Sequence, residues 1–332
     1  MLYFLTTVLE QLDLAQEHIV KGDVHNSRFG LMLTDNAVEL VLHQIAMDKD
    51  SDIKFFSWKG DKFDHQLTLN KALGRNFEPK LKFARIMGAL TTDEARSIGI
   101  LHGFRNELYH AGLAHESILQ SIAKFYFHIG STFISSYRPS FIGFRSDQEI
   151  PERARKYISA ESIHRHASDV FKRGCLDLAS RSGHDAESFV SSLYQHMETI
   201  IDDQDTCIDI IATGVYADQR RTRTQAVIET QAWALAFSPE GRAFAERSGW
   251  NGSIRQLTDW LGANFPGLLR SDPISSWRRR SKTLLSQKDP NSALHQYSSF
   301  MTETERLREM FTRCAEAAEA EIDAAIDRMR GK

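Results

Sequence analysis

Apolar residues recur at spacings of three and four through most of the chain, and runs that alternate every second residue are nearly absent. The pattern predicts a helix over 3–21, closed by Gly22, and a second over 27–47 with Leu31, Val38, Leu42 and Ile45 on its buried side. The charged stretch 48–64 reads as a loop, with Phe55, Phe56 and Trp58 tucking back onto the core. Shorter helices are predicted over 65–73 and 79–90. Thr92, followed by Asp93 and Glu94, opens a helix over 93–111 that Gly112 ends, and another covers 115–137. The irregular stretch 138–151, closed by Pro151, reads as a boundary between two helical regions. Beyond it, helices are predicted over 152–182, 186–201, 205–237, 239–247, 254–264 and 274–286, and a long one over 292–328. The stripe on that last helix runs from Leu307 through Met310, Cys314 and Ala317 to Met329, and predicts a packing seam against the body or a partner chain. The expectation is an all-α protein: a helical bundle over 1–140, then a C-terminal helical domain over 151–332 of undisclosed role.

The length, 332 residues, suits two domains of ordinary size, and 42% hydrophobic residues supply a sizeable core. A formal net charge of -3 excludes a generally basic polyanion binder, so any contact with nucleic acid must come from local patches. Cys175, Cys207 and Cys314 are far apart and form no CxxC pair, which argues against a disulfide framework or a zinc site and for a reducing, cytoplasmic home. The apolar start 1–9 lacks a basic flank, and Glu10, Asp13 and Glu17 follow at helical spacing. It therefore reads as an amphipathic helix rather than a signal peptide, and no stretch approaches the length of a membrane span.

Chemistry concentrates on the helix 93–111. Each residue advances about 100° around a helix. With His102 at zero, Arg105, Asn106, Tyr109 and His110 fall within an arc of roughly 140°. Ile100, Leu101, Phe104, Leu108 and Ala111 fall on the opposite side. Asn106 and His110 are four residues apart, so the amide can orient the ring. An imidazole moves protons near neutral pH, and a guanidinium holds a phosphate as charge builds on its oxygens. Cleavage of RNA through its own 2′-hydroxyl requires these two functions and no metal or other cofactor.

The run Arg105-Asn106-Glu107-Leu108-Tyr109-His110-Ala111-Gly112 resembles the motif of HEPN (higher eukaryote and prokaryote nucleotide-binding) ribonucleases: Arg, a polar residue that is often Asn, a few residues, then His, late in a helical bundle. The resemblance covers about residues 1–140. It implies an endoribonuclease with Arg105, Asn106 and His110 in catalysis and Tyr109 and His102 in support. It also implies an acidic residue of the second helix beside the motif, Glu39 before Asp35. As further implications come a homodimer with two motifs facing each other, and a role as a toxin or anti-phage effector with an antitoxin or other regulatory protein as partner. Arg96 and His102 fit the looser spacing of the same family, but Ser97 stands where Asn is expected. The alternative is a non-catalytic HEPN-like bundle that binds RNA, a nucleotide or a protein partner.

Three further features need a reading. Arg220, Arg221 and Arg223, and Arg278, Arg279 and Arg280 beside Trp277, are basic clusters suited to phosphate contact and base stacking, or are solvated helix faces. Asp202, Asp203 and Asp205 read as a capping loop between two helices rather than a metal site. His43 is either a core or a site-lining histidine.

Overall fold

The computed structural model describes residues 1–56, 62–111, 116–140, 149–158, 160–214 and 220–330; the side chains of 109–111, 160–166 and 255 are also outside the description. Trp58 and the stretch 141–148, on which expectations fell, lie outside the described residues, as does Gly112. Among the described residues the protein is all α, with thirteen α-helices, one short 3-10 turn and no strand. Among the described residues no helix is long and apolar enough to cross a membrane.

The chain divides into two compact units, 1–193 with 287–295, and 194–286 with 296–332. This division differs from the boundary expected at 138–151. In the first unit α1 (Leu2–Lys21), α2 (Val24–Phe55), α6 (Glu116–Ser136) and α7 (Ala160–Ser180) pack in a closed ring, α1 on α2, α2 on α6, α6 on α7 and α7 on α1. α7 thus completes the N-terminal bundle. Leu5, Val8, Leu9, Leu12 and Ile19 of α1 are fully buried, spaced as a single helical face. α3 (Gln66–Ala72), α4 (Phe77–Ile86) and α5 (Thr92–Ala111) pack along α2, and α5 also packs on α6.

Two glycines fix the hairpin that presents α2. Gly22 closes α1 at φ 75°, the left-handed conformation that ends helices without a Cβ clash. Asp23 then caps α2 through the Asn26 N–H at 2.9 Å. Inside α2, a Cβ on Gly30 would collide with Ile19 Cγ1 and lie 3.1 Å from the Ala15 carbonyl oxygen. α1 and α2 therefore touch backbone to side chain at this point.

α2 is longer than the sequence suggested. The stretch 48–55 continues the helix, because its carboxylates find donors at four-residue spacing: Gln44 donates to Asp48 at 2.7 Å and Lys54 to Asp50 at 2.6 Å. Phe55 is 74% exposed and Phe56 is also exposed, so neither tucks into the core. The helix over 93–111 begins one residue early, with Thr91 as cap: Thr91 Oγ1 accepts from the Glu94 N–H and Glu94 accepts from the Thr91 N–H. Its first half is anchored by Ser97, which donates to Asn291 at 2.7 Å and lies 3.0 Å from His295 Nε2.

In the second unit, α9 (Arg223–Ala236), α10 (Pro239–Arg247) and α11 (Ile254–Asn264) share a core of Leu235, Ala236, Leu257, Leu261 and Leu268. α8 (Ala186–Thr213) is one continuous helix where two were expected. In α13 (Pro290–Met329), Tyr297, Phe300, Thr304, Phe311 and Ala315 form the buried line. The expected stripe sits at its edge: Leu307, Met310 and Cys314 are half-buried, and Ala317 and Met329 are exposed.

Gly30→Val is expected to cost about 1–3 kcal/mol, as insertions into tight packing do. Gly103→Ala is expected to be neutral or stabilising by up to about 1 kcal/mol, since a Cβ there meets nothing within 4 Å and Ala is the better helix former. Denaturation midpoints of the two variants test the contrast. Equal midpoints would refute the close approach at Gly30.

Candidate functional site

A carboxylate buried inside a bundle is costly unless donors surround it. Asp35, in the middle of α2, is 1% exposed and has three partners. Tyr126 of α6 donates its hydroxyl to Oδ1 at 2.7 Å. His102 of α5 approaches through Nδ1, 2.9 Å from Oδ1 and 3.1 Å from Oδ2. Arg105 Nε lies 3.5 Å from Oδ2, an ion pair longer than an ordinary hydrogen bond. One carboxylate thus ties three helices together. Burial first, and then the negative charge of Asp35, push the Tyr126 pKa well above its ordinary range, so Tyr126 remains a protonated donor.

The partners are themselves held. A carboxylate only accepts, so His102 Nδ1 carries the hydrogen of this contact. The ring of Phe77, at the start of α4, stacks flat on His102, with centroids 3.7 Å apart and planes 2° from parallel. His102 is 18% exposed, so the face of α5 predicted as its polar side is half-covered. Arg105 Nη1 donates to Asn106 Oδ1 at 2.9 Å. Asn106 therefore positions the guanidinium, and its expected contact with His110 falls outside the described residues. Arg28 of α2 donates to the Leu108 carbonyl at 3.0 Å, satisfying one of the last carbonyls of α5. The opposite face is core, with Leu101, Phe104 and Leu108 buried.

Asp35, rather than the favoured Glu39, meets the motif. Glu39 lies one turn further along α2 and pairs with Lys80 of α4 at 2.6 Å; Lys80, itself buried, also donates to the Arg75 carbonyl at 3.2 Å. His43, a further turn on, has a buried Nδ1 with no hydrogen-bond partner among the described residues. Tyr109 and His110 lie on the last turn of α5, and their side chains are outside the described residues. Of the rival pair, Arg96 is exposed and His102 turns to Asp35.

The second unit disposes of the basic clusters differently from expectation. Arg278 of α12 (Ile274–Leu285) binds Asp202 at 2.8 Å and Asp205 at 2.9 Å, with Glu198 at 3.5 Å. Arg280 pairs with Glu303 at 2.9 Å and lies over the Phe300 ring. Arg279 is exposed and makes no ion pair with a described residue. Trp277 is 4% exposed, packed edge-on against Phe300, and so is not placed to stack a base. Arg223 is held by Asp205, Asp209 and Asp272, and Arg221 by Glu229. The Asp202–Asp205 run is thus not a loop but the arginine-binding face of α8. Among the described residues no group of three or more His, Cys, Asp or Glu side chains could hold a metal ion.

Asp35→Ala is expected to cost about 3–5 kcal/mol, because Tyr126, His102 and Arg105 lose their shared acceptor inside the bundle. Tyr126→Phe removes one neutral donor and is expected to cost about 1–2 kcal/mol. Urea denaturation checks the order, and an Asp35→Ala protein as stable as wild type would refute the shared acceptor. No protein-family model, curated protein or solved structure matches the chain.

Proposed function

We propose that the protein is an endoribonuclease of the HEPN type that cleaves RNA through the 2′-hydroxyl, with the Arg105–His110 turn of α5 as its active site. The observation that carries the reading is the shared Asp35 carboxylate. It holds the guanidinium of Arg105 and the imidazole of His102 side by side on the helix that bears the motif. The helical bundle around α5 supports the same reading.

In the proposed reaction the 2′-oxygen attacks the phosphorus and its proton passes to a base. The bond from phosphorus to the 5′-oxygen breaks, and an acid protonates the leaving oxygen. The products are a 2′,3′-cyclic phosphate and a 5′-hydroxyl. Arg105, steadied by Asp35 and Asn106, holds the phosphate oxygens as charge accumulates on them. His110 moves the proton. His102 supports Arg105 from the other side of the carboxylate. No metal or cofactor is assigned a step, since the nucleophile belongs to the substrate. Base and acid stand on opposite sides of the phosphorus, and a homodimer that brings two α5 helices together supplies one His110 to each. A cytoplasmic toxin or anti-phage effector, restrained by an antitoxin or regulatory protein, is the setting that the resemblance suggests.

A second reading rests on the burial of the same cluster. Asp35 and Tyr126 are almost fully enclosed, as in a network that only fixes helix packing. In that case the bundle binds RNA, a nucleotide or a protein partner without cutting. Cleavage distinguishes the two.

His110→Ala is expected to lose cleavage of a single-stranded RNA at least 100-fold, within the range of a general acid–base group, with helix content retained. Arg105→Lys keeps a cation beside Asp35 but loses the planar fork, and is expected to lose more than about 10-fold. Gel analysis with circular dichroism reads both. Wild-type rates in either variant contradict the assignment. Co-expression of wild-type and His110→Ala chains tests the dimer. Mixed dimers are expected to lose most activity, and retention of half would place a complete site in each chain.

A further inference from the structure

We infer that the open groove between α4 and α5 is the path along which a single-stranded RNA backbone reaches Arg105, with Lys82, Arg85 and Arg96 contacting its phosphates. The inference rests on the ribonuclease reading and names the substrate path of that same site. The groove encloses about 540 Å³ and is lined by Lys82 and Arg85 from α4 and by Arg96, Gly99 and Ile100 from α5; Glu78 is its one carboxylate.

Three observations support it. The first is charge. Lys82 and Arg85 are exposed, and neither makes an ion pair with a described residue. Arg221, Arg223, Arg278 and Arg280 of the second unit are instead held by carboxylates. Lys82 and Arg85 against the one lining carboxylate, Glu78, make the groove a local positive site on a chain whose net charge is -3. The second is where the groove leads. Phe77, next to the lining residue Glu78 in sequence, stacks on His102, which ties the start of α4 to the helix that bears the motif. In helical register, Thr92, Arg96 and Gly99 share a strip of α5 with Gly103 and Asn106, and His110 follows on the same strip. A strand in the groove therefore runs along α5 toward the motif. The third is room. A Cβ added at Gly103 meets nothing within 4 Å, so the strip lies open between the groove and Asn106. A glycine inside a helix costs about 1 kcal/mol relative to alanine, and a close approach of the substrate backbone gives that cost a purpose.

The test uses the full chain and a 2′-O-methyl oligonucleotide, which has no 2′-hydroxyl to attack, so binding is read apart from cleavage. Fluorescence anisotropy from 50 to 200 mM salt gives affinity and its salt dependence. Lys82→Gln combined with Arg85→Gln is expected to weaken binding at least 10-fold. The log–log salt slope should flatten by about 1.4, two phosphate contacts at about 0.7 each on single strands. Arg279→Gln, at an exposed arginine that does not line the groove, is expected to leave both unchanged. Gly103→Trp, with helix content checked by circular dichroism, is expected to block the strip and weaken binding at least 10-fold. An unchanged affinity and slope in the double variant overturns the inference, as does a wild-type protein that does not bind the oligonucleotide. If binding depends on Lys82 and Arg85 but ordinary RNA is never cut, the groove stands as an RNA site and the ribonuclease reading fails.

Discussion

The first unit is organised around a carboxylate that has no access to water. Asp35 is enclosed by α2, α5 and α6, and an unpaired charge there would be expelled or neutralised. Its partners arrive from two other helices: Tyr126 as a neutral donor from α6, His102 and Arg105 as the donors of α5. Because the partners come from two different helices, the angle and height of α5 are set by one anionic centre. Phe77 stacked on His102, Arg28 on the Leu108 carbonyl and Ser97 on Asn291 hold the same helix at further points. The motif residues thus project from a helix fixed along its length, which is what positioned chemistry requires.

Arginines and lysines play two parts in the protein. In the second unit, the guanidinium groups of Arg223 and Arg278 are each surrounded by carboxylates from α8 and its neighbours, and Asp205 is shared between them. Both arginines consequently hold their protons more tightly than usual, through hydrogen bonds to those carboxylates and, for Arg223, against the cost of burial. Such groups fasten helices and have little charge left for a polyanion. In the first unit the cations of α4 face an open groove, and Arg105 is 34% exposed. A mildly acidic chain thereby keeps a basic surface where α4 meets α5.

Helix periodicity was legible in the sequence. The all-α architecture, Gly22 as the end of α1, and the helices 239–247 and 254–264 follow directly from it. Charged runs were where it failed. Asp48, Asp50 and Lys54, and likewise Asp202, Asp203 and Asp205, look like loops when read alone but lie within long helices, where pairing at four-residue spacing or with distant arginines satisfies them. The polar face that carries Arg105 and Asn106 was also legible, being local to one helix, but not the contact between the two. Asp35 and Glu39 are one turn apart on the same face, so spacing cannot say which meets α5; the choice depends on Lys80, which draws Glu39 to α4. Tyr126 and Phe77 carry no local signal, since their roles exist only once α4, α5 and α6 have packed. The fate of Arg278 was equally hidden, because its partners lie about 75 residues away in sequence, a separation that no local pattern encodes.

The most direct test of the account is the chemical identity of the ends left on a defined RNA. The purified chain is incubated with a synthetic single-stranded RNA in EDTA, and the fragments are weighed by mass spectrometry. The account predicts fragments ending in 2′,3′-cyclic phosphate and beginning with 5′-hydroxyl, with no cut at a position whose 2′-hydroxyl is replaced by hydrogen. Intact RNA, or fragments beginning with a 5′-phosphate, would contradict it.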